Sequence, residues 1–114
     1  MTFSQGDIVI VEYPFTSNLS SKVRPAIVIS NNLVNSTQDV ILAQITSKPR
    51  IDNFSFKLEI SFLSIPLKNN LESEVRCHKL FVMEKSKIMQ VVSNLNKDQR
   101  EKLLQKIVGL LEVK

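Results

Sequence analysis

The 114-residue chain has one cysteine, one histidine and two glycines, and each scarcity removes a class of chemistry. One thiol, Cys77, permits neither an internal disulfide nor a multi-cysteine zinc site. One imidazole, His78, excludes a ribonuclease mechanism built on two histidines. Cys77 and His78 are adjacent, and neighbours on a strand point to opposite faces, so they do not form a nucleophile–base pair. With only Gly6 and Gly109 there is no glycine-rich loop to cradle a phosphate. The acids Asp7, Glu12, Asp39, Asp52, Glu59, Glu72, Glu74 and Glu84 are scattered, unlike the clustered carboxylates of two-metal nucleases. No apolar run approaches a membrane span, and the first five residues lack the basic and apolar segments of a secretion signal. The expectation is a cytoplasmic protein without membrane partner, metal or cofactor.

What remains is ordinary for a globule. Apolar residues make up 43% and charged residues 23%, enough for a single domain over residues 1–114 with an unstapled core. A net charge of +4 and a pI of about 9.4 lean toward an anionic partner. A solvated lysine-rich surface gives the same balance.

The first four-fifths of the chain reads as strands and loops. Residues 8–13 are rich in β-branched side chains and end at Pro14. A polar loop over residues 16–22 joins them to a second strand over 26–30, so the pair reads as a hairpin. Residues 31–38 are Asn-rich and turn-like. Residues 40–45 are almost continuously apolar, as in a strand buried on both faces. Residues 54–60 alternate, with Phe54, Phe56, Leu58 and Ile60 on one side. Another strand spans 74–82, and 86–89 suggests a short helical turn. Asn96 is a good N-cap with Gln99 three residues on, and Leu103, Leu104, Ile107, Val108, Leu110 and Leu111 form one apolar stripe of a terminal helix. Five or so short strands and one helix predict a mainly β fold, a small SH3-like antiparallel barrel with a C-terminal helix.

Two polar groups sit at strand ends. Arg24 precedes Pro25, which holds it in extended geometry, and a guanidinium offers paired donors that match two phosphate oxygens. Thr46, with Ser47 beside it, ends the third strand, where a hydroxyl can donate to a phosphoryl oxygen as charge builds there. Taken singly, each has a plain structural reading, a surface arginine or a strand end capping its own backbone. Taken together they make a phosphodiester site without metal or histidine. RNA suits such a site, because its 2′-hydroxyl is a built-in nucleophile.

The ordered set of segments resembles the MazF/PemK family, the toxin halves of bacterial toxin–antitoxin pairs. The resemblance runs through Gly6-Asp7-Ile8-Val9-Ile10-Val11, Tyr13-Pro14-Phe15-Thr16, Arg24-Pro25-Ala26-Ile27-Val28-Ile29-Ser30, Ile45-Thr46-Ser47, Leu67, Ser73-Glu74-Val75-Arg76-Cys77 through Leu80, Glu84-Lys85-Ser86-Lys87-Ile88 and the terminal helix. It implies a homodimeric SH3-like barrel that cleaves single-stranded RNA, mRNA included, without metal, leaving 2′,3′-cyclic phosphate and 5′-hydroxyl ends. The family's catalytic arginine and threonine fall on Arg24 and Thr46. Arg24 would contact phosphate and take part in proton transfer, and Thr46 would donate to the non-bridging oxygens. Ser47, Lys79, Thr16 and Lys22 would be secondary RNA contacts. The resemblance further implies a cognate antitoxin whose disordered tail folds into the RNA groove. Leu19 stands where many members carry an acid, so a proton acceptor is either missing or comes from elsewhere, such as Glu12. Two alternatives remain at this point, a non-catalytic nucleic-acid-binding module and a gyrase-type, protein-directed toxin of the same fold.

Overall fold

In a computed structural model, which describes residues 1–13, 23–67 and 73–114, the apolar runs pair into one antiparallel sheet. Its strands are β1 (Asp7–Glu12), β2 (Val23–Val28), β3 (Asp39–Thr46), β4 (Ser55–Leu58), β5 (Ser73–Glu84) and β6 (Ile88–Asn94). Their spatial order is β4-β5-β3-β2-β1-β6. A short helix α1 (Asn32–Asn35) joins β2 to β3, and α2 (Lys97–Leu111) ends the chain.

The sheet buries apolar side chains on both faces. On one face Ile8, Ile27, Ala43, Ile45 and Val75 pack with Leu103 and Ile107 of α2. On the other, Val9, Val11, Ala26, Val28, Leu42 and Phe81 form a second cluster. β3 feeds both, which is why its sequence is nearly all apolar.

The mainly β class and the C-terminal helix hold, and the curl is barrel-like, but the sheet is open. No ladder among the described residues joins β4 to β6. The segment after β4 spans the gap instead. Leu63 bridges Leu95, the Ser64 amide donates to the Asn94 carbonyl at 2.9 Å, and Ser93 Oγ donates to the Ile65 carbonyl at 2.6 Å. A loop therefore stitches the two edges, and edge N–H and C=O groups find partners without a closing strand.

Four expectations change in detail. A sixth strand, β6, follows a single 3-10 turn at Lys85–Lys87; its alternation is masked by Gln90 and by a half-exposed Val91 on the edge. The Asn-rich stretch contains α1, whose first turn is capped by Asn31 Oδ1 accepting the Leu33 amide. Ile60 leaves the β4 alternation and is exposed in a 3-10 turn, Ile60–Phe62. The α2 stripe is narrower than its sequence suggests, with Leu103 and Ile107 buried and Val108, Leu110 and Leu111 exposed. Asn96 caps α2 as expected, accepting the Gln99 amide at 2.9 Å.

Candidate active site

β2 and β3 pair at Val28↔Leu42, Ile27↔Ala43 and Ala26↔Gln44, and there the ladder stops. The cause is Pro25, which has no N–H to give. Continued by one residue, the register brings Pro25 to Ile45; by two, it sets Arg24 opposite Thr46. Opposed residues of an antiparallel pair share a face. Arg24 has the parity of Ala26 and Val28, and Thr46 that of Leu42, so both lie on the face away from α2. The two polar residues thus stand at one open strand end, Arg24 exposed and Thr46 half-buried.

Tyr13, directly after β1, belongs to the same place. Its ring meets Phe81 edge-on, with centroids 5.5 Å apart, and its hydroxyl donates to the Pro25 carbonyl at 2.8 Å. Burial pushes the phenol up to about 12, against the opposing effects of the Ile45 backbone and the Arg24 charge. The guanidinium is therefore within electrostatic reach of the Tyr13 oxygen.

The Thr46 hydroxyl accepts the Lys48 amide at 3.1 Å, a local turn bond of the kind strand-terminal threonines make. A hydroxyl that accepts in this way still has its hydrogen to donate.

The other expected contacts are distributed. Ser47, one residue on, lines a cleft of about 490 Å³ with Ile10, Pro25, Leu67 and Ser73; by strand parity this is the other side of the sheet from Thr46. Lys79 is exposed in β5, in the stretch Cys77, His78, Lys79 that bulges between the Ala43↔Leu80 and Gln44↔Arg76 pairs. Glu12 pairs with Val23 and so points to the opposite face from Arg24. Thr16, Lys22 and Leu19 lie outside the described residues.

A charged cluster beside Thr46 was not foreseen. Glu74 lies opposite Thr46 in the β3–β5 ladder. Arg76 donates to Glu74 Oε2 at 2.6 Å and grips both oxygens of Asp52 at 2.9 Å. Ser55 Oγ donates to Glu74 at 2.7 Å, and Glu74 Oε1 collects the backbone amides of Arg50 and Ile51. These bonds pin the loop between β3 and β4, including Ile51 at φ 50°, a left-handed value that costs a β-branched residue energy. The guanidinium and the Phe54 amide hold Asp52 well below the usual carboxylate range. Burial would raise Glu74, but the Ser55 hydroxyl, Arg76 and the two amides outweigh it and lower it. Among the described residues no three His, Cys, Asp or Glu side chains converge as metal ligands.

Residues 4–111 match the family described as PemK-like, MazF-like toxins of type II toxin–antitoxin systems. The chain belongs to this family. Solved structures share its fold at low identity. An endoribonuclease from a mycobacterial species, in complex with its cognate antitoxin, has a TM-score of 0.73 at 17% identity, covering 96% of this chain and 97% of that one. The Mycobacterium tuberculosis toxin MazF-mt6 has a TM-score of 0.71 at 20% identity, covering 91% and 93%. A MazE–MazF structure from Deinococcus radiodurans has 0.73 at 18% identity, covering all of both chains. No curated protein matches.

Two signals for the unforeseen residues were present in this PemK/MazF-like sequence. Glu74 and Arg76 are two apart on a strand and so share a face. Tyr13 has the parity of Val9 and Val11, and Pro25, whose carbonyl its hydroxyl reaches, removes one donor from the ladder there.

Proposed function

We propose that this chain is the toxin of a type II toxin–antitoxin pair and cleaves single-stranded RNA by transesterification that needs no metal. The reading is supported by the β2–β3 register, which ends at Ala26↔Gln44 and, extended by two residues, would set Arg24 opposite Thr46. In the reaction the 2′-oxygen bonds to phosphorus and the P–O5′ bond breaks. The net proton transfer runs from the 2′-oxygen to the 5′-oxygen, leaving a 2′,3′-cyclic phosphate and a 5′-hydroxyl. Arg24, always protonated, neutralises the phosphorane oxygens with paired N–H donors and is placed to supply hydrogen-bond density to the leaving oxygen. Thr46 keeps its O–H for a non-bridging oxygen while its lone pair holds the Lys48 amide. The pinned β3–β4 loop keeps Thr46 from drifting, which matters because misplacement by about 1 Å costs about a hundredfold in rate.

Lys79 on its bulge, Ser47 across the strand end and Thr16 and Lys22 in the loop between β1 and β2 serve as further RNA contacts. The protein works as a homodimer in the cytoplasm, and a cognate antitoxin blocks it by covering the RNA groove with a segment that folds on binding. Matched folds solved with antitoxin are consistent with that arrangement.

The test is incubation with a mixed RNA pool in excess EDTA, with mass spectrometry of the new ends. Cyclic phosphate and 5′-hydroxyl termini are expected. Intact RNA retained in a salt-sensitive complex would replace this reading with a binding module, and intact, unbound RNA would point to a protein target.

A further inference from the structure

Within the apolar run of β3, residues 40–45, one side chain is polar, that of Gln44. It is half-buried in the middle of the sheet, paired with Ala26 of β2 on one side and Arg76 of β5 on the other. An alkyl side chain would sit there at lower cost, since a polar group taken out of water needs a partner. The neighbours supply none. Ala26 has no side-chain donor or acceptor. Arg76 directs its terminal N–H groups at Asp52, Glu74 and Ser55. Leu42, two residues earlier on the same face, is apolar, and the Thr46 hydroxyl, two residues later, is engaged with the Lys48 amide. Among the described residues the Gln44 amide makes no hydrogen bond. No fully enclosed side-chain nitrogen or oxygen there lacks a partner, so the polar atoms of Gln44 reach solvent. A donor and an acceptor thus stand open in a strand that is otherwise core.

The position of the amide gives it a use. Residues two apart on a strand share a face, so Gln44 lies on the face of Thr46 and about 7 Å along the strand from it. A phosphate bonded to the Thr46 hydroxyl would bring the base of a flanking nucleotide within that reach. Single-stranded RNA can splay its bases and leave their edges free to pair. We propose that Gln44 is a specificity-determining residue whose amide reads the edge of a base beside the scissile phosphate, and that this base is adenine. A primary amide offers an acceptor oxygen next to an NH2 donor. Adenine sets an acceptor beside a donor on its Watson–Crick edge and again at N7 and N6. Guanine shows two acceptors at N7 and O6, and the pyrimidines have a single polar atom on that edge. Adenine is therefore the base that the amide can pair from either side.

The proposal rests on the RNA-cleavage reading, and two readouts keep their failures apart. The first is base preference, obtained by sequencing the ends that the wild type and Gln44→Ala generate from a randomised RNA pool. The wild type is expected to favour adenine at one position beside the cut. Gln44→Ala is expected to lose about tenfold of that preference, measured as kcat/KM for adenine against guanine at the same position, the value of one bidentate base contact. Gln44→Glu, whose carboxylate only accepts, is expected to move the preference toward guanine, which offers adjacent N1–H and N2–H donors. An active wild type indifferent to the bases beside the cut, or a preference unchanged in folded Gln44→Ala, overturns the assignment. The second readout needs neither cleavage nor a variant. NMR follows the side-chain NH2 group of Gln44 while a short 2′-O-methyl oligoadenylate, which lacks the internal nucleophile, is added. The Gln44 signals are expected to shift, and to shift less with the matching oligouridylate. Unmoved signals, or equal shifts with both, overturn the proposal. An inactive wild type overturns the cleavage reading alone and leaves the NMR titration to decide Gln44.

Discussion

Glu74 stands directly across the β3–β5 ladder from Thr46, and its buried carboxylate holds the loop that leaves Thr46. Frame and candidate chemistry are therefore one rung apart. A charge buried at such a place is stabilising only while its partners are present. The partners here are Arg76, Ser55 and two backbone amides, all supplied by segments that Glu74 itself draws together.

Replacing Arg76 by Ala should therefore be among the most damaging single changes in the sheet. It leaves Glu74, 2% exposed, as a buried carboxylate with its cation removed, at a cost of about 3 kcal/mol. Urea unfolding at neutral pH measures this as a lowered midpoint with an unchanged slope. A midpoint equal to that of the wild type would show that water reaches Glu74 and that the cluster is a surface feature.

The same cluster sets the acid limit of the fold. Asp52 and Glu74 both have folded-state values below their ordinary ones of 3.8 and 4.5. A carboxylate lowered by folding contributes stability that is complete above its unfolded value and lost as pH falls through the folded one. Stability should hold from neutrality to about pH 4.5 and then decline steadily with further acid. In Arg76→Ala the decline should be shallower, because the guanidinium that lowers both groups is gone. Parallel pH profiles for the two proteins would break the link between the ion pairs and acid unfolding.

At the candidate active site, Arg24→Ala and Thr46→Ala should each reduce RNA cleavage by about a hundredfold or more, by analogy with removal of one oxyanion donor. Arg24 is exposed and Thr46 half-buried, so both variants should unfold at nearly the wild-type denaturant concentration. Arg24→Lys should rescue little, since an ammonium lacks the planar pair of donors. Full activity in Arg24→Ala would detach the chemistry from this strand end.

Sequence reasoning reached the parts of the molecule governed by local rules. The apolar run of β3, the Asn96 cap and the proline after Arg24 each carry their physics within a few residues. The positions of Arg24 and Thr46 near the ends of β2 and β3 were also legible, since Pro25 and the end of the apolar run mark them locally. β6 was not, because an edge strand with one buried face and a curled neighbour loses clean alternation at Gln90 and Val91. The Asp52–Arg76–Glu74 cluster was not either. Asp52 and Arg76 are brought together by the β4–β5 pairing, and nothing within either segment specifies the other. Tyr13 lies between these cases, with a local signal in Pro25 and a ring partner, Phe81, from a distant strand.

Cys77 provides a reporter that should be silent in the native state. Its side chain is 1% exposed in the core beneath α2. Burial pushes the thiol up to about 11, against the Lys106 and Arg76 charges that pull it down. At pH 8 only about one thiol in a thousand is then the reactive thiolate, and that one is enclosed. Iodoacetamide should label Cys77 only as fast as the protein opens, and fully in denaturant. Cys77→Ala should keep the wild-type cleavage rate while losing some stability, because the sulfur packs as a small apolar group. Rapid native labelling, or cleavage abolished in a folded Cys77→Ala, would place the thiol at a working surface instead of in the core.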